Sequence, residues 1–288
     1  MEQSKCIAGT MLWGSWGRKW DTKYMSDCIY HFINSGIFKF DHADIYGDYT
    51  TEEQFGAAFK QSGISRTDIQ LITKCGIKRD CQKRPYQLHH YDYSEKYILE
   101  SCNQSLKNLQ TDYIDIYLLH RPSPLMHSHE IAAAITKLMG EGKIREFGVS
   151  NFSPLQTELI KKLIPVKYNQ IEFSLAHHIP LTDGSLDYMM TNSIQPMAWS
   201  PLGKILKTNS NKEIEKIYKV VETLGEKYNT ETKQILLAWI LKHPAHIWPV
   251  VGTTNFDRIS QLKSLSDFTL SDEDWFLLWT TAMGQDVP

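Results

Sequence analysis

The chain has 288 residues, 42% of them hydrophobic, and a formal net charge of −2. That balance suits a soluble globular protein and gives no sign of a nucleic-acid or membrane-surface partner. No apolar run approaches the ~20 residues of a membrane helix, and Met1–Cys6 lacks a signal-peptide core. Five scattered cysteines without a CxxC argue for reduced thiols in a cytoplasmic protein.

Apolar β-branched runs alternate along the chain with stretches of helical period. The pattern predicts strands at Ile7–Met11, Ile37–Asp41, Ile69–Lys74, Ile114–His120, Glu146–Val149, Tyr168–Glu172, Gln195–Trp199 and Trp248–Val251. Helices are predicted between them, at roughly 25–35, 51–61, 94–109, 128–141, 154–163, 183–191 and 231–243, and then at 255–265. Thr51 with Gln54, and Ser153 with Pro154 and Gln156, look like capping boxes. Strand–helix units in this number predict an α/β fold, a closed (β/α)8 TIM barrel forming one domain over 1–288. Two helices outside the repeat, near 211–227 and near 271–282 behind Ser271, would decorate it.

Three of the apolar runs close on one ionisable residue: IFKFD on Asp41, IQLITK on Lys74 and IDIYLLH on His120. A barrel presents such strand ends at its active face. Tyr46 follows Asp41 by five positions in DHADIYG, where Gly47 allows a sharp turn. A tyrosine is a weak acid, with a pKa of about 10, and a nearby ammonium lowers it. Lys74 would supply that charge, Asp41 would hold Lys74, and His120 would bond the substrate oxygen or the phenol. Any one of these residues alone reads as a satisfied polar group at a strand end. Four such types converging on one rim point instead to a site that reduces carbonyls.

With these residues in place, the chain resembles the aldo-keto reductase superfamily over nearly its whole length. The resemblance rests on DHADIYG, LITK, LLHRPSP, GVSNF, YNQIEFS, AWSPLG and PVVGTTNFDRISQ, all in the family's order. It is most similar to a bacterial subgroup of predicted oxidoreductases with poorly defined substrates. The resemblance implies reversible NAD(P)H-dependent reduction of aldehydes or ketones, with Tyr46 as proton donor and Asp41, Lys74 and His120 supporting it.

Ser150, Asn151 and Gln170 offer hydroxyl and amide groups that suit a nicotinamide carboxamide, and Trp199 could stack on the ring, or else pack in the core. Ser200, Leu202 and Gly203 offer backbone amides for a pyrophosphate, although SPLG alone is a common turn. Gly252, Thr253 and Thr254 precede a helix start, a common phosphate position in barrels. Arg258 would fork onto a 2′-phosphate and Gln261 would reach the adenine, which in the resemblance makes these the adenosine-phosphate residues. Many relatives carry lysine where this chain has Gly252, so a preference for NADP(H), with NAD(H) as the alternative, rests on Arg258 and Thr253. The N-terminal segment is short for the hairpin that usually plugs the barrel bottom.

Trp13, Trp16 and Trp20 could wall the substrate or cover the barrel edge. Pro122, Pro124, Leu125 and Met126 are expected to shape a substrate loop favouring hydrophobic carbonyl compounds. His42, His89–His90, His127 with His129, and His177–His178 lack matched ligand spacing and read as solvated or capping, so no metal is expected. Cys75 reads as packing. The competing readings are a nucleotide-binding regulatory subunit, which the superfamily includes, and a barrel isomerase. The expected partner is a small carbonyl compound, and oligomeric state is open.

Overall fold

The computed structural model describes residues 5–206 and 212–287. Eight strands close into a barrel: β1 (Ile7–Gly9), β2 (Lys39–Asp41), β3 (Gln70–Cys75), β4 (Ile114–Leu119), β5 (Ile144–Ser150), β6 (Tyr168–Glu172), β7 (Gln195–Trp199) and β8 (Trp248–Val251). All neighbours run parallel in chain order, and β1 completes the ring on β8, with Ile7 opposite Val250 and Ala8 opposite Val251. Around them lie α1 (Thr22–Asn34), α2 (Thr51–Ser62), α3 (Glu95–Leu109), α4 (Ser128–Gly140), α5 (Pro154–Lys161), α6 (Ser185–Thr191), α7 (Lys212–Lys227), α8 (Thr232–Leu241), α9 (Phe256–Gln261) and α10 (Asp272–Met283). This is the predicted TIM barrel, with α7 and α10 as its additions. Residue 211, where the first addition was expected to begin, lies outside the described residues. No hairpin precedes β1 among the described residues, and no helix of theirs is long and apolar enough to cross a membrane.

Local signals explain several boundaries. Ser153 and Gln156 form the expected reciprocal cap with Pro154 in the first turn of α5, and Ser271 accepts from the Asp274 N–H to open α10. The box expected at Thr51 and Gln54 does not form. The Tyr46–Tyr49 turn runs straight into α2, so Thr50 occupies the N-cap and its hydroxyl donates to the Gly47 carbonyl. A small antiparallel hairpin, Ile77–Lys78 with His90–Tyr91, rises from the loop after β3 and was not foreseen. Its paired segments are two residues long, too short to show a period.

Strand alternation decides what the barrel holds. Ile7, Ile72, Ile116, Leu118, Met197 and Val250 pack together as an apolar plug inside it. The same parity, carried towards the C-terminal strand ends, gives Asp41, Lys74, His120, Ser150, Gln170 and Trp199 as a polar layer above that plug. Phe40, Leu71 and Cys75 have the opposite parity and pack into the apolar shell beneath the helices.

Candidate active site

Tyr46 enters this polar layer from the loop after β2. Gly47, Asp48 and Tyr49 follow it with φ of 59°, 56° and 66°, three successive left-handed residues. Glycine takes that conformation freely, whereas the other two are strained in it. The coil leaves Tyr46 8% exposed, beside a fully buried Lys74.

Lys74 Nζ donates to Asp41 Oδ1 at 2.7 Å, Asp41 Oδ2 at 2.8 Å and the His42 carbonyl at 2.8 Å, with the Tyr46 hydroxyl at 3.3 Å. An ammonium has three protons, so the phenol holds the longest of four contacts. Burial works against the Lys74 charge, but Asp41 and Tyr46 outweigh it and hold its pKa above the usual lysine value. For Tyr46 the balance departs from the sequence expectation. Burial pushes the phenol above its ordinary value, and Lys74 and Arg121 only partly offset this. Because the ammonium is already paired with Asp41, the phenol meets a nearly neutral pair while losing its water.

His120 stands with its ring 6.0 Å from that of Tyr46, edge to face. Burial, with the charges of Lys74 and Arg121, holds its pKa well below the usual histidine value, so the imidazole is neutral. Its Nδ1 has no partner. His42, read as solvated or capping, is instead fully buried beside the Thr10 hydroxyl, at 2.8 Å, with its pKa lowered by burial to about 3.

The residues expected around a nicotinamide form one hydrogen-bonded chain. Gln170 Nε2 donates to Asp41 Oδ1 at 2.8 Å, and the Ser150 hydroxyl to the Gln170 carbonyl at 2.8 Å. Asn151 Nδ2 donates to Ser150 at 2.9 Å, and the Trp199 indole to Asn151 Oδ1 at 2.8 Å. Ser200, Leu202 and Gly203 lie in the turn after β7, where the Gly203 N–H is already bonded to the Ser200 carbonyl and Leu202 packs against the core. Gly252, Thr253 and Thr254 follow β8. The Thr253 hydroxyl is buried without a partner, and a Cβ added at Gly252 would meet nothing within 4 Å. Room and an unsatisfied hydroxyl therefore fit a phosphate-bearing nucleotide there. Thr254 accepts from Tyr24, Arg258 is exposed on α9, and Gln261 bonds to Glu231.

Of the residues proposed to face substrate, Trp16 lies 6.0 Å from Tyr46, ring to ring. Trp13 does not reach the mouth: it is fully buried among Trp20, Phe32, Phe40 and Phe55 in the outer shell. Met126 packs against the cluster under α3 and α4, and Leu125 is 83% exposed. Neither belongs to the apolar cluster around Tyr46, which Ala43, Ile45, Tyr49, Trp16, Ile77 and Cys81 make.

Sequence reasoning missed three features. Asp48 accepts from the Trp16 indole at 3.0 Å and from Arg79 Nε at 2.8 Å, tying three loops together beside the phenol. Arg121 sits with its guanidinium 5.3 Å from the centre of the Trp199 ring. Its only sequence signal was its place directly after His120. Behind the Tyr46 loop, Asp44 is buried near Glu52, and burial and then that carboxyl push its pKa up to about 8.

The Asp44 shift gives a testable stability effect. The folded protein keeps this proton across a range, from ~4 to about 8, in which the unfolded chain has lost it. The stability it contributes is therefore full below the lower limit and is lost as pH rises through the upper one. Asp44→Asn, neutral throughout, is expected to match wild type near pH ~4 and to exceed it by up to roughly 5 kcal/mol near pH ~8. Thermal melts at the two pH values check this, and a gap that does not widen with pH refutes it.

Comparison with known proteins agrees with this geometry. Residues 5–278 match the Aldo/keto reductase family. The chain is 40% identical to uncharacterized oxidoreductase YcsN of Bacillus subtilis, over 100% of this chain and 97% of that protein. It is 35% identical to a 6-dehydroglucose reductase of Agrobacterium fabrum, over 88% of this chain and 86% of the relative. Among solved structures, the thermostable aldo-keto reductase Tm1743 superposes with a TM-score of 0.82 at 25% identity, covering 96% and 94% of the two chains. On its motifs, its barrel and this whole-length match, the chain belongs to the aldo/keto reductase family.

Proposed function

We propose that this protein reduces aldehydes or ketones to alcohols with NADP(H), reversibly, and that Tyr46 gives the proton. The observation that carries the reading is the buried Lys74 ammonium, held by both Asp41 oxygens, with the Tyr46 hydroxyl at 3.3 Å. A bound nicotinamide supplies the hydride. The protein's part is to hold the acceptor oxygen between Tyr46 and His120 and to pass it a proton as negative charge develops. A neutral imidazole donates one hydrogen bond there without competing for the proton. Once the proton has left, Lys74 stabilises the phenolate.

A panel of aldehydes, ketones, quinones and sugars tests the reading, followed by loss of reduced-nicotinamide absorbance. The Agrobacterium relative's name puts a sugar carbonyl on that panel. No turnover on any of them, with cofactor bound, would remove the enzymatic reading.

Cofactor choice rests on Arg258, since Gly252 contributes no second cation. A guanidinium can make paired charged bonds to a 2′-phosphate, where NADH has only a hydroxyl. Arg258→Ala is expected to weaken NADPH roughly tenfold to a hundredfold and to leave NADH nearly unchanged. Tryptophan-fluorescence titration of both cofactors decides it. Equal weakening would place Arg258 on a part the two cofactors share.

A further inference from the structure

The loop after β4, expected to give an apolar substrate wall, does not give one, and it brings a charged side chain near Tyr46 instead. Two guanidiniums lie in the loops after β3 and β4, and they differ in one respect. Arg79 is held by Asp48 at 2.8 Å and lies over the Trp16 ring at 4.7 Å. Arg121 has no such partner: among the described residues, no carboxylate and no hydrogen-bond acceptor meets its guanidinium, which rests against Trp199 at 5.3 Å. It is half-buried and directly follows His120, whose ring faces Tyr46. Its charge opposes the rise of the Tyr46 pKa and adds to the fall of the His120 pKa.

The guanidinium carries five N–H groups, and because they are neither sealed in the interior nor taken up by the protein they are free for a ligand's acceptors. An arginine resting over an indole is also partly pre-organised, so less freedom is lost when it binds. We propose that Arg121 is a substrate-binding residue that grips an oxygen on the carbon next to the reacting carbonyl. The favoured substrates are then α-hydroxy or α-oxo-acid carbonyl compounds, and plain alkyl ones are poor. The chemistry shared by the two groups is an acceptor oxygen within reach of a forked donor. A carboxylate takes both prongs and a hydroxyl takes one. This inference rests on the carbonyl-reducing reading and refines its substrate class.

Three methyl ketones of similar size make the test: butanone with no second oxygen, hydroxyacetone with a hydroxyl, and pyruvate with a carboxylate. Because the last two are intrinsically more reactive, the readout is how far each kcat/KM changes between wild type and variant. Arg121→Met is expected to lower kcat/KM for hydroxyacetone about tenfold or for pyruvate about a hundredfold, mainly through KM, while butanone changes little. A loss on hydroxyacetone identifies a hydroxylated substrate and a loss on pyruvate an acidic one; either supports the proposal. Arg121→Lys keeps the charge without the fork, so it should restore only part of the lost affinity. Equal losses on all three ketones, or none, overturn the proposal while leaving the enzyme a carbonyl reductase. Failure of wild type to reduce any of the three, or any compound on the wider panel, would instead overturn the reductase reading.

Discussion

Tyr46→Phe is expected to lower carbonyl turnover by ~10²–10⁴-fold while cofactor affinity stays close to wild type. Phenylalanine keeps the ring that packs beside Trp16 and His120 and removes only the hydroxyl at 3.3 Å from Lys74. The loss should fall on kcat, because the missing proton is used in the transition state and not in binding. Single-turnover kinetics with NADPH, which separate chemistry from product release, make the measurement. Retention of more than about a tenth of wild-type chemistry would assign the proton to another donor.

Lys74→Met should cost as much or more, for two separable reasons. The first is electrostatic. Tyr46 already lies above the ordinary tyrosine value because of burial, and Lys74 is the largest influence acting the other way. Without it the phenol becomes a still weaker acid, so the alkaline fall of the reduction rate moves to higher pH. Alcohol oxidation, which needs the phenolate as base, should suffer more than reduction near neutrality. The second reason is structural: a buried Asp41 left without its ammonium destabilises the fold by ~3–5 kcal/mol. The double variant with Asp41→Asn removes that unpaired charge and so recovers stability without recovering the rate. An alkaline limb that stays in place would exclude the electrostatic role.

The barrel and its polar layer were legible because both follow from period. Apolar runs ending in one ionisable residue can be counted in a sequence, and strand parity then fixes that Lys74 shares a face with Ile72 and His120 with Leu118. The strands at Tyr168–Glu172, Gln195–Trp199 and Trp248–Val251 match the prediction in both bounds. What stayed hidden depends on loops meeting in space. Trp13 and Trp16 are three positions apart in one loop, yet one fills the outer shell and the other faces Tyr46. Asp48 and Arg79 find each other only because the loops after β2 and β3 leave adjacent strands. The raised pKa of Tyr46 was equally out of reach: a sequence shows that a lysine is available, but not that Asp41 already holds it.

The seam between β1 and β8 bears on how the protein is made. Ile7 must wait for Val250 before the ring can close, so almost the whole chain leaves the ribosome before its first strand has both neighbours. Contacts so distant in sequence slow folding and leave strand edges open meanwhile. The Thr253 hydroxyl and Arg258 lie just past that closing strand, whereas Asp41, Tyr46 and Lys74 all belong to the first third of the chain. A nascent chain therefore holds the proposed proton-transfer residues long before it holds the proposed place for the nucleotide phosphate, and a cofactor bound there during synthesis could reward only barrels that have already closed.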